Sequence, residues 1–260
     1  MIRPDMCVLK TDGSNCDVEM MYALEVSGGN PEIVHINQLR SGEKHLSSFG
    51  GLALPGGFSY GDDVASGKVL AVEMTSFLAD QLLEFNEAEK PTIGVCNGFQ
   101  ILTKTGLLPK QNIGSQTVTL TDNESGRFEC RWIELEIGKS VCKFIQAENF
   151  KSNTIPMQIA HGEGKFIASE YDIKKLKDNK QIVLSYANLD HSVPVEYPNN
   201  PNGSIDNIAG ICDQSGLILG LMPHPERSFS SFHPHRKRTE LAVDAAKFIF
   251  QNLVAYAKES

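Results

Sequence analysis

Apolar and polar positions follow two rhythms along the chain. In the first hundred residues, short apolar runs are separated by stretches with helical spacing. Residues 6–9 read as a buried strand, and the turn Asp12-Gly13-Ser14-Asn15 leads into a helix over 18–26 with apolar residues at 18, 20, 21 and 24 turned inward. Residues 32–36 and 52–54 predict two further strands, the latter ending at Pro55-Gly56-Gly57. From 67 to 85, Leu70, Met74, Phe77, Leu78, Leu82 and Phe85 fall on one face of a single long helix. Residues 92–95 are short, β-branched or apolar and predict a strand, with a helix from 97 to 105 directly after it. The C-terminal half is richer in β segments, at 115–121, 127–137, 141–146, 156–160, 181–187, 208–212 and 217–221, with a short polar helix at 170–177. Leu135 and Ile137 alternate with polar residues, as in an antiparallel strand with one wet face. A final helix over 237–258 turns Leu241, Ala245, Phe248, Ile249 and Leu253 inward.

Strands alternating with helices predict an α/β fold: three layers, αβα, around a mostly parallel central sheet, with additional antiparallel strands from the C-terminal half. No repeat and no convincing linker divides residues 1–260, which read as a single domain. In such sheets ligands sit at the carboxyl ends of the strands, where both Gly56-Gly57 and Cys96 fall. The loop at 194–204, with Pro198-Asn199-Asn200-Pro201-Asn202-Gly203, is the most irregular stretch and reads as a binding loop or a surface excursion.

Composition adds exclusions. At 41% hydrophobic and 22% charged, with net charge −8 and a pI of about 5.4, the chain is an ordinary acidic globule. It lacks the basic tract expected of a partner for nucleic acid or for an anionic membrane. The N-terminal residues run into a strand without a signal-like apolar region, and no apolar run approaches a membrane span. Six cysteines, at 7, 16, 96, 130, 142 and 212, show neither C-x-x-C spacing nor a zinc pattern, so no metal is expected and the expected compartment is the reducing cytoplasm.

The chemistry centres on Gly94-Val95-Cys96-Asn97-Gly98, a G-x-nucleophile-x-G pattern with a thiol as nucleophile. A strand-to-helix turn there holds the nucleophile in a strained conformation, and the helix N-terminus favours thiolate. A buried packing cysteine is the alternative. A thiol nucleophile needs a base and an orienting acid. In Met222-Pro223-His224-Pro225-Glu226-Arg227 two prolines predict an extended segment, in which His224 and Glu226 point the same way. An oxyanion hole is expected from the Asn97 N–H and the Gly57–Phe58 peptide. Residues 61–68 lack the spacing and the Ser or Thr of a phosphate loop, so no nucleotide site is read there.

Gly94 to Gln100, Pro55 to Asp62 and Met222 to Arg227, in this order, resemble the class I (triad) glutamine amidotransferases, whose sheet is flavodoxin-like. Asn123-Glu124-Ser125-Gly126-Arg127-Phe128-Glu129-Cys130-Arg131-Trp132 and Ala160-His161-Gly162-Glu163-Gly164-Lys165-Phe166 narrow the resemblance to the PurQ-type glutaminases of phosphoribosylformylglycinamidine synthase. The resemblance implies that Cys96 attacks the carboxamide of L-glutamine, that His224 serves the departing ammonia and the hydrolytic water, and that Glu226 orients His224. It implies that Gln100, His161, Gly162 and Glu163 help hold glutamine. Read from the residues alone, His161 is equally a core histidine or a second base. The resemblance further implies that ammonia passes to an ATP-dependent synthetase (large) subunit, which converts FGAR to FGAM (formylglycinamide ribonucleotide to its amidine) in purine (IMP) biosynthesis. A small bridging subunit is usual. ATP and Mg2+ are then expected only on the synthetase, with no cofactor in this chain. Arg127, Phe128, Arg131 and Trp132 form an Arg and aromatic cluster suited to that contact, or a strand with a solvated face.

The stretches 142–155 and 190–202 exceed the shortest members of the family, and the latter is more similar to the glutaminase portion of single-chain synthases. Two other readings compete. A DJ-1/PfpI-like cysteine hydrolase would carry His after the nucleophile, where this chain has Asn97, and would leave His224 and Glu226 unexplained. A non-catalytic binding subunit would be marked by loss of Cys, His or Glu, and all three are present.

Overall fold

The computed structural model describes residues 3–150, 152–190, 194–229 and 236–259. Eleven strands are seen among them. β1 (Asp5–Lys10), β2 (Asn30–His35), β3 (Gly51–Leu54) and β4 (Thr92–Val95) come from the N-terminal half. β5 (Val118–Asp122), β6 (Glu129–Ile137), β7 (Thr154–His161), β8 (Glu163–Ala168), β9 (Ile182–Ala187), β10 (Ile208–Cys212) and β11 (Ile218–Leu221) follow. Nine of them form one sheet in the order β2-β1-β3-β4-β11-β10-β9-β6-β7, while β5 and β8 pair separately. The side from β2 to β11 is parallel throughout and the side from β11 to β7 antiparallel. The two rhythms of the sequence are therefore two halves of the same sheet.

The described helices are, in chain order, α1 (Asp17–Val26), α2 (Ile36–Arg40), α3 (Lys68–Phe77), α4 (Ala79–Glu87), α5 (Asn97–Thr105), α6 (Leu107–Lys110), α7 (Glu170–Asp178) and α8 (Arg236–Glu259). β4 lies inside the sheet, between β3 and β11, and all four of its residues are buried, as expected of a strand covered on both faces. On one face lie α1 and the long α8; on the other lie α3 and α5. The antiparallel half curls back over the carboxyl end of the parallel half: from β7, Gln158 O accepts from the His224 N–H at 2.8 Å and Ala160 O accepts from Cys96 Sγ at 3.7 Å. Among the described residues no helix is long and apolar enough to cross a membrane.

Several elements depart from the apolar pattern. The helix read over 67–85 is two helices meeting at Leu78, whose φ of −119° breaks the helical path. Leu78, Leu82 and Phe85 stay buried across the break, which is why the pattern runs through it. Phe77 is exposed, and its ring is covered instead by the Arg40 guanidinium, 4.0 Å from the centroid. In α1 the buried face is Asp17, Met20, Ala23 and Leu24, and Val18 points to solvent. Residues 141–146 form no strand; Cys142, Phe144 and Ile145 are buried, but the backbone is tied to Lys180 and Gly216 by single hydrogen bonds. β8, in contrast, is a strand that the apolar pattern does not announce. In the irregular loop, Asn200 and Asn202 are buried and lock it in place. Asn202 Nδ2 donates to Gly164 O at 2.7 Å and to Tyr186 Oη at 2.9 Å. Residues 191–193 of the 190–202 stretch and residue 151 of the 142–155 stretch lie outside the described residues.

Candidate active site

The turn from β4 to α5 is built around close backbone packing. Cys96 has φ 52° and ψ −105°, a left-handed conformation costly for a residue with a Cβ. A Cβ on Gly98 would stand 2.0 Å from Leu54 O, and one on Gly94 would stand 2.6 Å from Gly98 O. The two glycines thus press the helix start against β3 and β4, leaving the intervening residue to project from the elbow. Cys96 N–H donates to Leu221 O at 2.8 Å, and Cys96 O accepts from the Phe99 and Gln100 N–H groups. Among the described residues no carbonyl accepts from the Asn97 or Gly98 N–H, and both point from the helix N-terminus.

β11 runs parallel beside β4, so the segment leaving β11 arrives next to Cys96. Pro225 opens a short 3-10 turn, Pro225–Phe229, in place of the extended segment expected; its fixed φ suits the first position of a helical turn. His224 and Glu226 nevertheless meet, Nδ1 to Oε1 at 2.6 Å, both within 1% of full burial. Burial alone would push the His224 imidazolium down. The Glu226 carboxylate, aided by the Cys96 and Cys16 sulfurs, outweighs it and holds the ring well above the usual imidazole value. Gly56 separates the two halves of the site: a Cβ there would lie 2.9 Å from His224 Cε1 and 3.5 Å from Cys96 Cβ. Bare backbone at this position lets the ring and the thiol face each other.

The oxyanion donors need one correction. Phe58 N–H already donates to Gly13 O at 3.0 Å, so it is not free for substrate. Gly57 N–H has no acceptor among the described residues and, with Asn97 N–H, is the available pair. The four residues expected to hold glutamine divide. The Gln100 amide is committed within the protein: Nε2 donates to Glu163 O at 2.6 Å and Oε1 accepts from Asn97 Nδ2 at 3.1 Å. It braces α5 against β8 rather than offering a free amide. His161 is a core histidine, with Nδ1 3.0 Å from Asn123 Oδ1. Burial, with the nearby His224 charge, lowers its pKa to about 3, so it is neutral and not a second base. Gly162 and Glu163 do line a cavity of about 600 Å3, together with Phe58, Asp62, Ser66, Asp122, Gly126, Arg127 and Phe128. The Glu163 carboxylate is fixed there by the Ser66 N–H, at 3.2 Å. Asp62 stands beside the elbow, accepting from Asn97 Nδ2 at 3.4 Å, and burial raises its pKa.

The expected Arg and aromatic cluster does not form one patch. Arg131 and Trp132 are consecutive on β6 and so point to opposite faces. Arg131 is also engaged within the chain, with Glu129 at 2.6 Å, Pro198 O at 2.9 Å and the Tyr197 ring. Phe128 and Arg127 stand at the cavity mouth, where the exposed Phe128 ring meets exposed Phe58 at 6.3 Å. One neighbour of the triad had no signal in sequence spacing. Cys16, at the start of α1, is buried beside His224 and accepts from Arg227 Nη2 at 3.1 Å.

Comparison with known proteins agrees with this geometry. A family model described as CobB/CobQ-like glutamine amidotransferase domain matches residues 3–257. Phosphoribosylformylglycinamidine synthase subunit PurQ of Dehalococcoides mccartyi is 43% identical over 255 residues, covering 97% of each chain. The same-named protein of Methanococcus maripaludis is 43% identical over 231 residues, 88% of this chain and 84% of that one. Among solved structures, a chain of PurLQS from Thermotoga maritima superposes with a TM-score of 0.73 at 31% identity, covering 98% of this chain and 99% of that one.

Proposed function

The chain belongs to the PurQ-type glutamine amidotransferases, the glutaminase subunits of phosphoribosylformylglycinamidine synthase, and from that premise we propose how its residues carry the reaction. Cys96 Sγ attacks the side-chain carboxamide carbon of L-glutamine. The oxyanion of the tetrahedral intermediate is received by the N–H groups of Gly57 and Asn97. The His224 imidazolium gives a proton to the departing nitrogen, which leaves as ammonia, and a glutamyl thioester remains on Cys96. His224, now neutral, takes a proton from water. The hydroxide attacks the thioester, and glutamate leaves as the thiolate re-forms. Glu226 holds His224 in one orientation and favours its charged form throughout.

The cavity beside the elbow fits the remainder of glutamine by charge. The carboxylates of Asp62 and Glu163 suit the α-ammonium group, and Arg127 at the mouth suits the α-carboxylate. Gln100 and His161 shape this wall from within through Glu163 O and Asn123. The observation that carries the reading is the strained Cys96 elbow facing a buried His224–Glu226 pair.

Ammonia released here passes to the ATP-dependent synthetase subunit, which converts FGAR to FGAM. The chemistry at Cys96 needs no cofactor from this chain, and ATP and Mg2+ act on the synthetase. Phe58 and Phe128, the exposed rings at the cavity mouth, are the contact we assign to that subunit, with a small bridging subunit as a further partner. The PurLQS likeness supports an assembly of this kind. Residues 1–260 act as one domain, supported by one contiguous core, and the cytoplasm is the compartment this metabolism calls for. The test is glutamate release from glutamine, with and without the synthetase subunit, for the wild type and Cys96→Ala. Activity that rises with the partner and vanishes in Cys96→Ala is expected; equal activity in the two chains would remove Cys96 as nucleophile.

A further inference from the structure

The turn at Gly56 brings another sulfur to the triad. Cys16 N–H donates to Gly56 O at 3.2 Å, which fixes the start of α1 against the same turn that faces Cys96. A Cβ on Gly56 would lie 3.2 Å from Cys16 Sγ and 2.9 Å from His224 Cε1, so sulfur and imidazole approach each other across bare backbone. Cys16 Sγ, one ring nitrogen of His224 and one carboxylate oxygen of Glu226 all lie within 4.8 Å of one another, and all three residues are about 1% exposed. In this group Glu226 Oε2 is buried without a hydrogen-bond partner among the described residues, while the His224 ring faces the Cys96 and Cys16 sulfurs. Buried polar atoms without partners are uncommon and call for an occupant.

A thiolate, an imidazole and a carboxylate are the three ligand classes zinc accepts, at about 2.3, 2.0–2.1 and 2.0–2.2 Å respectively. Tetrahedral geometry with those bonds places the ligand atoms about 3.3–3.6 Å apart. The ligand atoms, within 4.8 Å of one another, need to close by up to about 1.5 Å, and the 2.6 Å contact of His224 Nδ1 with Glu226 Oε1 has to open as the side chains rotate onto the metal. The Arg227 guanidinium, 3.1 Å from Cys16 Sγ, opposes any cation at this point. It discriminates by bond type: a soft divalent ion gains from the thiolate bond, whereas Mg2+, which wants six oxygens, gains nothing to offset the repulsion.

We propose that Cys16, His224 and Glu226 form an inhibitory site for a zinc-class divalent cation, which binds across the triad by way of a cysteine outside it. The metal takes a thiolate, a neutral imidazole and a carboxylate, and the protons displaced from these groups pass to solvent. Solvent or Cys96 completes the coordination. On the reading of His224 as proton carrier, the metal-loaded chain does not turn over, since the imidazole that serves ammonia and water is engaged by the metal.

The test is direct zinc binding to the reduced, metal-free full chain, measured by competition with a chromophoric chelator. The variants are Cys16→Ser, Cys96→Ala and, to remove the exposed thiol, Cys130→Ser. The wild type and Cys130→Ser should take up one tightly held zinc. Cys96→Ala should keep it, because the nucleophile is not a required ligand. Cys16→Ser, nearly isosteric and a poor zinc ligand, should weaken binding by at least about tenfold, with folding checked by circular dichroism. Mg2+ should not compete. Zinc should inhibit glutamine hydrolysis reversibly in the wild type, and about tenfold less potently in Cys16→Ser, each relative to its own metal-free rate. Loss of tight binding in Cys96→Ala with retention in Cys16→Ser would move the metal to the nucleophile and overturn the proposal, as would wild-type binding no tighter than that of Cys16→Ser. The binding arm reads the site even if the assignment of Cys96 as nucleophile fails.

Discussion

Gly98→Ala offers a severe test of how the elbow works, because its consequence is set by fixed backbone. The added Cβ would stand 2.0 Å from Leu54 O, 2.8 Å from Leu54 C and 2.9 Å from Leu54 Cβ. None of these is the end of a flexible side chain. Opening the closest contact from 2.0 Å to an ordinary 3.4 Å moves the start of α5 away from β3 by about 1.4 Å. Overpacking of this kind costs about 1–3 kcal/mol, and a clash with a carbonyl belongs near the upper end. At about 2–4 °C per kcal/mol for a chain of this size, Tm should fall by about 5 °C or more. Activity should fall further than stability. The same shift carries Cys96 and the Asn97 N–H away from Gly57 and His224, and about 1 Å of misplacement costs on the order of 100-fold in rate. Gly114→Ala is the control. Gly114 has φ +85° and open space around its missing Cβ, so alanine there should cost about 1 kcal/mol of backbone strain with no loss of kcat. Thermal melts and partner-stimulated glutamate release on the two variants check the reasoning. Wild-type kcat in folded Gly98→Ala would refute the claim that close packing of α5 on β3 sets the nucleophile.

Glu226→Gln removes the carboxylate that holds the His224 ring charged, so kcat should fall about 100-fold or more and the alkaline limb of its pH profile should move to lower pH; an unmoved limb would sever Glu226 from His224. The same pair bears on stability. Because the folded pKa of His224 lies above 6.5, its contribution is complete below pH 6.5 and is lost as pH rises through the folded value, so thermal melts toward alkaline pH should fall more steeply in the wild type than in Glu226→Gln. His161 behaves oppositely. With its pKa lowered to about 3, its contribution is present above pH 6.5 and is lost as pH falls from there toward 3, so His161→Gln should flatten acid destabilisation by up to about 1.4 kcal/mol per pH unit in denaturant titrations. Phe128→Ala, at the cavity mouth, should weaken binding to the synthetase subunit by about tenfold in calorimetry; an unchanged Kd would place that contact elsewhere.

What could be read from the residue order divides along a physical line. The nucleophile elbow was legible because its parts are covalent neighbours: Gly94, Cys96 and Gly98 fix one turn between one strand and one helix, and the structure has that helix at Asn97–Thr105. Much of the strand and helix order was legible for the same reason, since an apolar run carries its own period, but β8, the break at Leu78 and the strandless run at 141–146 were not. Relations between distant segments were not. Sequence alone leaves Phe58 N–H free, whereas the fold gives it Gly13 O. It leaves the Gln100 amide available, whereas Glu163 O and Asn97 hold it. It joins Trp132 and Arg131 in one patch, whereas β6 turns them to opposite faces. The His224–Glu226 pair is expected from an extended segment that does not exist; a 3-10 turn opened by Pro225 brings the same two side chains together. A pairing that survives a change in its supporting conformation is constrained from outside that segment. Here the constraints are the His224 N–H on Gln158 O and the bare backbone of Gly56 against the ring. Both come from parts of the chain with no local relation to residues 222–227. The same turn that admits the imidazole also admits the Cys16 sulfur, so the space that allows catalysis and the space that allows metal capture are one feature of Gly56, and no substitution there can separate them. Selectivity between the two has to come from Cys16 itself.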